Sequence, residues 1–287
     1  MTPTPPTVMT FAATDPSCGA GMQADILALA SIGCHPLSVI TGITVQDTVG
    51  VESVMALDAD WINEQARTIL EDVQVAAFKL GLLGSIENVA VIAEIVADYP
   101  DVPLIIDPIL TSGRGDELTN DEMQAAMCEL LFPQATLITP NSLEARRLAY
   151  YDEGEEVKHT SLEEAAQRLL AMGSEYVLIT GTHERSIDVV NSLYGMQLSN
   201  ELGLIKDYHW ERLAGSYHGS GCTLASAIAA CLAHGLVMEE AIQEAQEYTW
   251  QTLKNAFRPG MGQFIPDRFF WAREESQEDD KAVSIQH

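Results

Sequence analysis

The sequence predicts an α/β protein: a central, mostly parallel sheet with helices on both faces and a small antiparallel hairpin. Three observations predict it. Short apolar runs rich in β-branched residues alternate with segments of helical periodicity along the chain. The polar and glycine-rich strings fall just after those runs, where open α/β sheets carry their ligand loops. The chain is 287 residues long and 47% hydrophobic, enough to bury one sizeable core.

In chain order, the β-branched runs that read as strands are TVMTFAA, PLSVITGITVQ, VESVMAL, VAAFKLGLL, VPLIIDP, ATLITP and EYVLITG. Helical periodicity runs near 19–32, 60–72, 85–98, 119–131, 141–150, 161–173, 220–235 and 238–256. Strands separated by helices of this length form βαβ units, which is why the sheet is expected to be mainly parallel. DVVNSLYGMQLSN and GLIKDYHWERL follow one another without a helix between them, so they read as an antiparallel hairpin appended to the sheet. No repeat or long linker interrupts residues 1–273, which read as a single domain. The acidic stretch 274–287 reads as a solvated tail without a fold.

Composition excludes several function classes. Forty-two acidic against fifteen basic side chains leave a formal net charge of −27, which repels nucleic acid and anionic membrane. It also repels ATP, unless metal, backbone N–H groups and a few cations receive the phosphates locally. No apolar run is long enough to span a bilayer, and MTPTPPTVMTFAA lacks the plan of a signal peptide. Five cysteines without CxxC spacing argue against disulfides and structural zinc and for a reducing cytoplasm.

The chemistry concentrates in a few loops. His218-Gly219-Ser220-Gly221-Cys222 runs straight into a helix of small residues. Bare N–H groups and the helix dipole there would receive an anion. Cys222 at that point is expected to ionise more readily than a free thiol and to serve as base or nucleophile. A tight loop with a small buried cysteine is the plain alternative. After the first strand, Gly19 and Gly21 permit a close turn into a helix, with Asp25 about one turn in. Neither GxGxxG nor GxxxxGK[ST] occurs, which excludes the standard dinucleotide and P-loop assignments. Asn141 and Glu144, three apart at a helix start, suit a hydrated Mg²⁺ or, equally, a capping arrangement. Asp107, ending LIIDP, is a second candidate for the metal's water shell. Gln46, closing a long strand, carries a carboxamide suited to the edge of an aminopyrimidine or pyridine. Of seven histidines only His183 and His218 fall in these loops, without HxxxH spacing; GxSxG and HExxH are absent.

Together TDPSCGAGMQAD, SVITGITVQDTVGV, FKLGLLGS, DPILTSGRGDEL, ITPNSLEA, ITGTH and YHGSGCTLASAIAA resemble the hydroxymethylpyrimidine/phosphomethylpyrimidine kinases of thiamine biosynthesis, within the ribokinase-like superfamily. The resemblance runs from about Val8 to Phe264. It implies a ribokinase-like fold, ATP with Mg²⁺, and a homodimer. By motif, it places Asp25 and Gln46, with Ala13, Gly19 and Val45, around the pyrimidine. Asn141 and Glu144 would serve metal and phosphates, and Thr180, Gly181 and His183 the nucleotide. Gly219, Ser220 and Gly221 would form the anion hole, with Cys222 in the catalytic position. Three residues depart from the pattern. Ala13 and Cys18 stand where the family usually has Gly, which would narrow the substrate space. Thr180 stands where many members have Lys, leaving Lys79 or Arg114 as replacement cations. A pyridoxal kinase, or a pyrimidine-binding sensor without turnover, are the rival readings.

Overall fold

The computed structural model describes residues 4–152, 160–197 and 199–273; the predicted acidic tail lies outside them. Among the described residues nine strands form one sheet: β1 (Thr7–Ala13), β2 (His35–Gln46), β3 (Val51–Ala56), β4 (Ala77–Leu80), β5 (Leu104–Ile106), β6 (Leu137–Ile138), β7 (Tyr176–Ile179), β8 (Val189–Met196) and β9 (Leu202–Trp210). The helices are α1 (Gly21–Ser31), α2 (Ala59–Leu70), α3 (Ile86–Ala97), α4 (Asp121–Ala126), α5 (Ser142–Ala149), α6 (Leu162–Ala171), α7 (Ser220–Ala233) and α8 (Met238–Lys254).

The spatial order is β3-β2-β1-β4-β5-β6-β7-β8-β9. The neighbours from β2 to β7 run parallel, and β8–β9 is the predicted antiparallel hairpin. β3 differs from the alternating βαβ reading: it returns antiparallel beside β2, because only a short turn joins them and a parallel crossover needs a dozen residues. Helix 119–131 is also shorter than its periodicity suggests. Regular α4 gives way to a wide turn at Met127–Leu131 and then a tight one at Phe132–Gln134, where Pro133 has no N–H to continue a helix.

Strand alternation sends side chains into two cores. Met9, Phe11, Phe78, Leu80, Leu104 and Ile106 pack under α2 to α6. Val8, Ala77, Ile105, Leu137 and Leu178 meet α1, α7 and α8 on the opposite face. The small residues of α7 let that helix lie close on the sheet, and most of it is buried. β1 sits between β2 and β4, so the strand order switches there and opens a crevice at the carboxyl ends of the strands.

Candidate active site

That crevice is a cavity of about 990 Å³. Its floor is the N-terminus of α7. Gly219 caps the helix at φ +85°, and no side chain caps the N–H groups that follow. A Cβ on Gly219 would collide with the Gly19 carbonyl, so the loop that enters α7 and the loop after β1 touch backbone to backbone. His218 Nε2 meets Asp15 Oδ2 at 2.8 Å, and the same carboxylate accepts from Ser17 N at 2.8 Å and Ala20 N at 2.7 Å. Burial raises the Asp15 carboxyl, but the His218 and Ala20 bonds outweigh it and hold it below its ordinary value. From the far end of the chain, buried Arg268 donates to Thr223 Oγ1 (3.0 Å), Cys18 O (3.3 Å) and Gly19 O (2.6 Å). These contacts clamp the two loops in one spacing.

Beneath the floor, Lys79 Nζ lies 2.8 and 2.9 Å from the two carboxylate oxygens of Asp25. Thr10 (2.7 Å) and Ser226 (2.8 Å) also donate to that carboxylate. Beside the floor stand two acids. Asp107 follows β5 directly, and a Cβ on Gly221 would lie 3.6 Å from its Oδ2. Burial pushes Asp107 up to about 6; Lys79 opposes the rise and a hydrogen bond to Cys222 lowers it further. Burial, then repulsion from Asp107, pushes Glu144 up to about 8. Asn141 and Glu144 form a capping box. Asn141 Oδ1 accepts from Leu143 N (2.9 Å) and Glu144 N (3.0 Å), and Glu144 Oε2 from Asn141 N (3.0 Å). The second Glu144 oxygen faces Leu110 N at 3.3 Å.

At the other end of the cavity, Gln246 Oε1 accepts from Asn191 Nδ2 (2.7 Å) and Trp210 Nε1 (3.0 Å), with Trp250 and Leu253 alongside. Arg212 ties down the loop after β7 through the carbonyls of Thr182 (2.9 Å), Glu184 (3.0 Å) and Ser186 (3.2 Å).

A bare helix start, a clamped glycine-rich loop after β1 and paired acids in one crevice suit phosphoryl transfer, and the comparisons agree. The family described as phosphomethylpyrimidine kinase matches residues 15–267. This chain belongs to that family. It is a kinase with the ribokinase-like fold. The hydroxymethylpyrimidine/phosphomethylpyrimidine kinase of Mycobacterium tuberculosis is 36% identical over 261 residues, 90% of this chain and 92% of that one. The pyridoxal kinase of Bacillus subtilis, solved with ADP, superposes with a TM-score of 0.81 at 29% identity, covering 92% of this chain and 98% of the other. The phosphomethylpyrimidine kinase of Clostridium difficile gives 0.72 at 31% identity, with 86% and 99% covered.

Within this kinase fold, Ala13, Gln46, Asp107, Asn141, Glu144, Thr180, His183, Gly219, Ser220, Gly221 and Cys222 line the cavity. Four predicted residues do not. Asp25 is sealed under the floor by Lys79, Thr10 and Ser226 and cannot face a substrate. Val45 points to the other side of β2 and is 55% exposed, since successive strand residues alternate and Gln46 takes the cavity side. Gly19 is backed by the His218 ring, and buried Gly181 donates to Asn191 Oδ1 at 3.0 Å. Cys18 is exposed at φ +59° and does not narrow the cavity. Lys79 is spent on Asp25 and is no replacement for a phosphate-binding lysine. The Cys222 thiol is not activated as expected. Burial pushes it up to about 12; Lys79 lowers it, and the charges of Asp107 and Asp25 add to the rise. The clamping roles of Asp15, Arg268 and Arg212 escaped the sequence. Only Asp15, within a glycine-rich turn, carried a local signal.

Proposed function

We propose that this kinase transfers the γ-phosphoryl group of ATP to the hydroxymethyl oxygen of 4-amino-5-hydroxymethyl-2-methylpyrimidine. It then phosphorylates the resulting monophosphate to the diphosphate, for thiamine biosynthesis. One observation carries the reading. Gln46, Cys222 with Asp107, and the uncapped start of α7 all face one cavity. Gln46 offers donor and acceptor to the aminopyrimidine edge. The N–H groups after Gly219 receive the charge that builds on the transferring group. Cys222 holds its proton toward Asp107, so its sulfur takes the proton of the alcohol as its own passes to that carboxylate.

The donor set fits Mg²⁺. Asp107 and Glu144 are buried oxygen donors whose mutual repulsion a hard cation relieves. Bound there with Asn141, Mg²⁺ would neutralise phosphate charge. Asn141 and Glu144 are already committed to the capping box, so they serve through water rather than as bare ligands. We place the enzyme in the cytoplasm, acting through one domain over 1–273 as a homodimer. The exposed apolar residues Ile43, Val45 and Met55 on the β2–β3 edge support the dimer.

The test is a substrate panel with MgATP. Product should form from the pyrimidine alcohol and its monophosphate. Pyridoxal belongs in the panel because pyridoxal kinases share the fold. Efficient turnover of pyridoxal with none of the pyrimidines would replace this reading.

A further inference from the structure

The two proposed acceptors differ in charge. The alcohol is neutral, whereas its phosphomonoester brings about two negative charges into a protein of net charge −27. Among the described residues, two arginines line the cavity, Arg114 and Arg212. Arg212 spends its guanidinium on three backbone carbonyls. The cations below the floor, Lys79 and Arg268, are buried and already bonded.

Arg114 is placed differently. It projects from the loop between β5 and α4 with its side chain 60% exposed, and one ion pair holds it, Nη2 to Asp116 Oδ1 at 3.2 Å. The loop is a built turn. Ser112 Oγ meets Asp116 Oδ2 at 2.8 Å, Gly115 N donates to Ser112 O at 2.8 Å, and Thr111 bridges Glu117. It is seated against the acceptor end of the crevice. A Cβ on Gly50, in the turn that follows Gln46, would lie 3.3 Å from the Arg114 guanidinium carbon. Asp116 bonds the backbone of Val51, the first residue of β3 after that turn.

We propose that Arg114 is the specificity-determining cation for the phosphorylated acceptor. Its donors not used by Asp116 receive the phosphate of the pyrimidine monophosphate. This rests on the reading of the two-step reaction above. In the second step an oxygen of that phosphate forms a bond to the γ-phosphorus of ATP. The bond from that phosphorus to the β–γ bridging oxygen breaks, and ADP leaves with the electron pair. A planar fork suits an acceptor that must be held while one of its own oxygens reacts. Asp116 fixes the fork, which a lone surface arginine would lack.

Steady-state kinetics on native enzyme, Arg114→Ala and Arg114→Lys, with alcohol and monophosphate in parallel, test the assignment. Loss of a charge-assisted contact should raise KM for the monophosphate, relative to KM for the alcohol, by about 10- to 100-fold in Arg114→Ala. Arg114→Lys should restore part of it. The monophosphate KM of the native enzyme should rise with ionic strength more steeply than that of Arg114→Ala. An unchanged ratio, or equal losses on both acceptors, overturns the assignment; equal losses would move Arg114 to the nucleotide phosphates. A native enzyme that turns over neither pyrimidine overturns the two-step reading, and the assignment with it.

Discussion

Lys79 and Asp25 pair with neither side chain exposed, and two hydroxyls complete the carboxylate's hydrogen bonds. A buried pair of this kind contributes little net stability but is expensive to break. Lys79→Met should therefore destabilise the fold by about 3–5 kcal/mol, because Asp25 stays buried without its partner. Lys79→Met with Asp25→Asn should recover much of that loss in urea titrations. Equal losses in the single and double variants would show that packing, not charge, is at stake. Asp25 shows how far a motif reads: the family resemblance placed it at the substrate, while its spacing said only that an acid lies one turn into a helix. Its partner lies 54 residues away on β4, which spacing cannot reveal. Cys222 is the converse. Adjacency to the helix start placed it correctly in the cavity, while burial set its ionisation against the dipole argument.

The helix starts were legible because they are local. The capping box of α5 lies within four residues, and the small-residue entry to α7 within five. Gly219 gives an element-scale prediction with an internal control. Both Gly219 (φ +85°) and Gly235 (φ +88°) bracket α7 in left-handed conformations, but a Cβ on Gly235 would meet nothing within 4 Å. Gly235→Ala should cost only the backbone term, about 1–2 kcal/mol, and keep activity. Gly219→Ala should cost more in the same urea titration. It should also abolish most turnover, because its Cβ drives the loop after β1 from the helix start proposed to receive the transferring group. Similar losses in the two variants would show that the loops do not depend on that backbone contact. The direction of β3 was less legible, since periodicity marks a strand without saying which neighbour it joins.

For the whole molecule, the two cavity acids link stability to pH and to metal. Folding raises Glu144 to about 8 and Asp107 to about 6, in both cases first through burial. The folded state therefore holds protons that the unfolded chain releases above about pH 4. These two groups make the metal-free protein less stable as pH rises from about 4 through 8. A cation that binds the ionised acids reverses that loss. Mg²⁺ should raise Tm clearly at pH 8 and little at pH 5.5, at matched ionic strength, because protonated acids do not bind it. Glu144→Gln should remove most of the pH 8 increment. An equal increment at both pH values would point instead to screening of the net charge.

By itself the sequence determined the strand and helix order, the hairpin, the bare glycine-rich start of α7 and the loop positions of Gln46, Asp107 and Cys222, which line the cavity. Each of these depends on neighbours within a few positions, through periodicity, glycine turns or caps. The tertiary structure alone decided which acids face the cavity and which are sealed beneath it. It alone brought His218 to Asp15 across 203 residues and Arg268 to Cys18 across 250. It also decided that the Cys222 thiol stays protonated beside Asp107. Those outcomes depend on burial and on charges from distant strands, and neither is a property of local sequence.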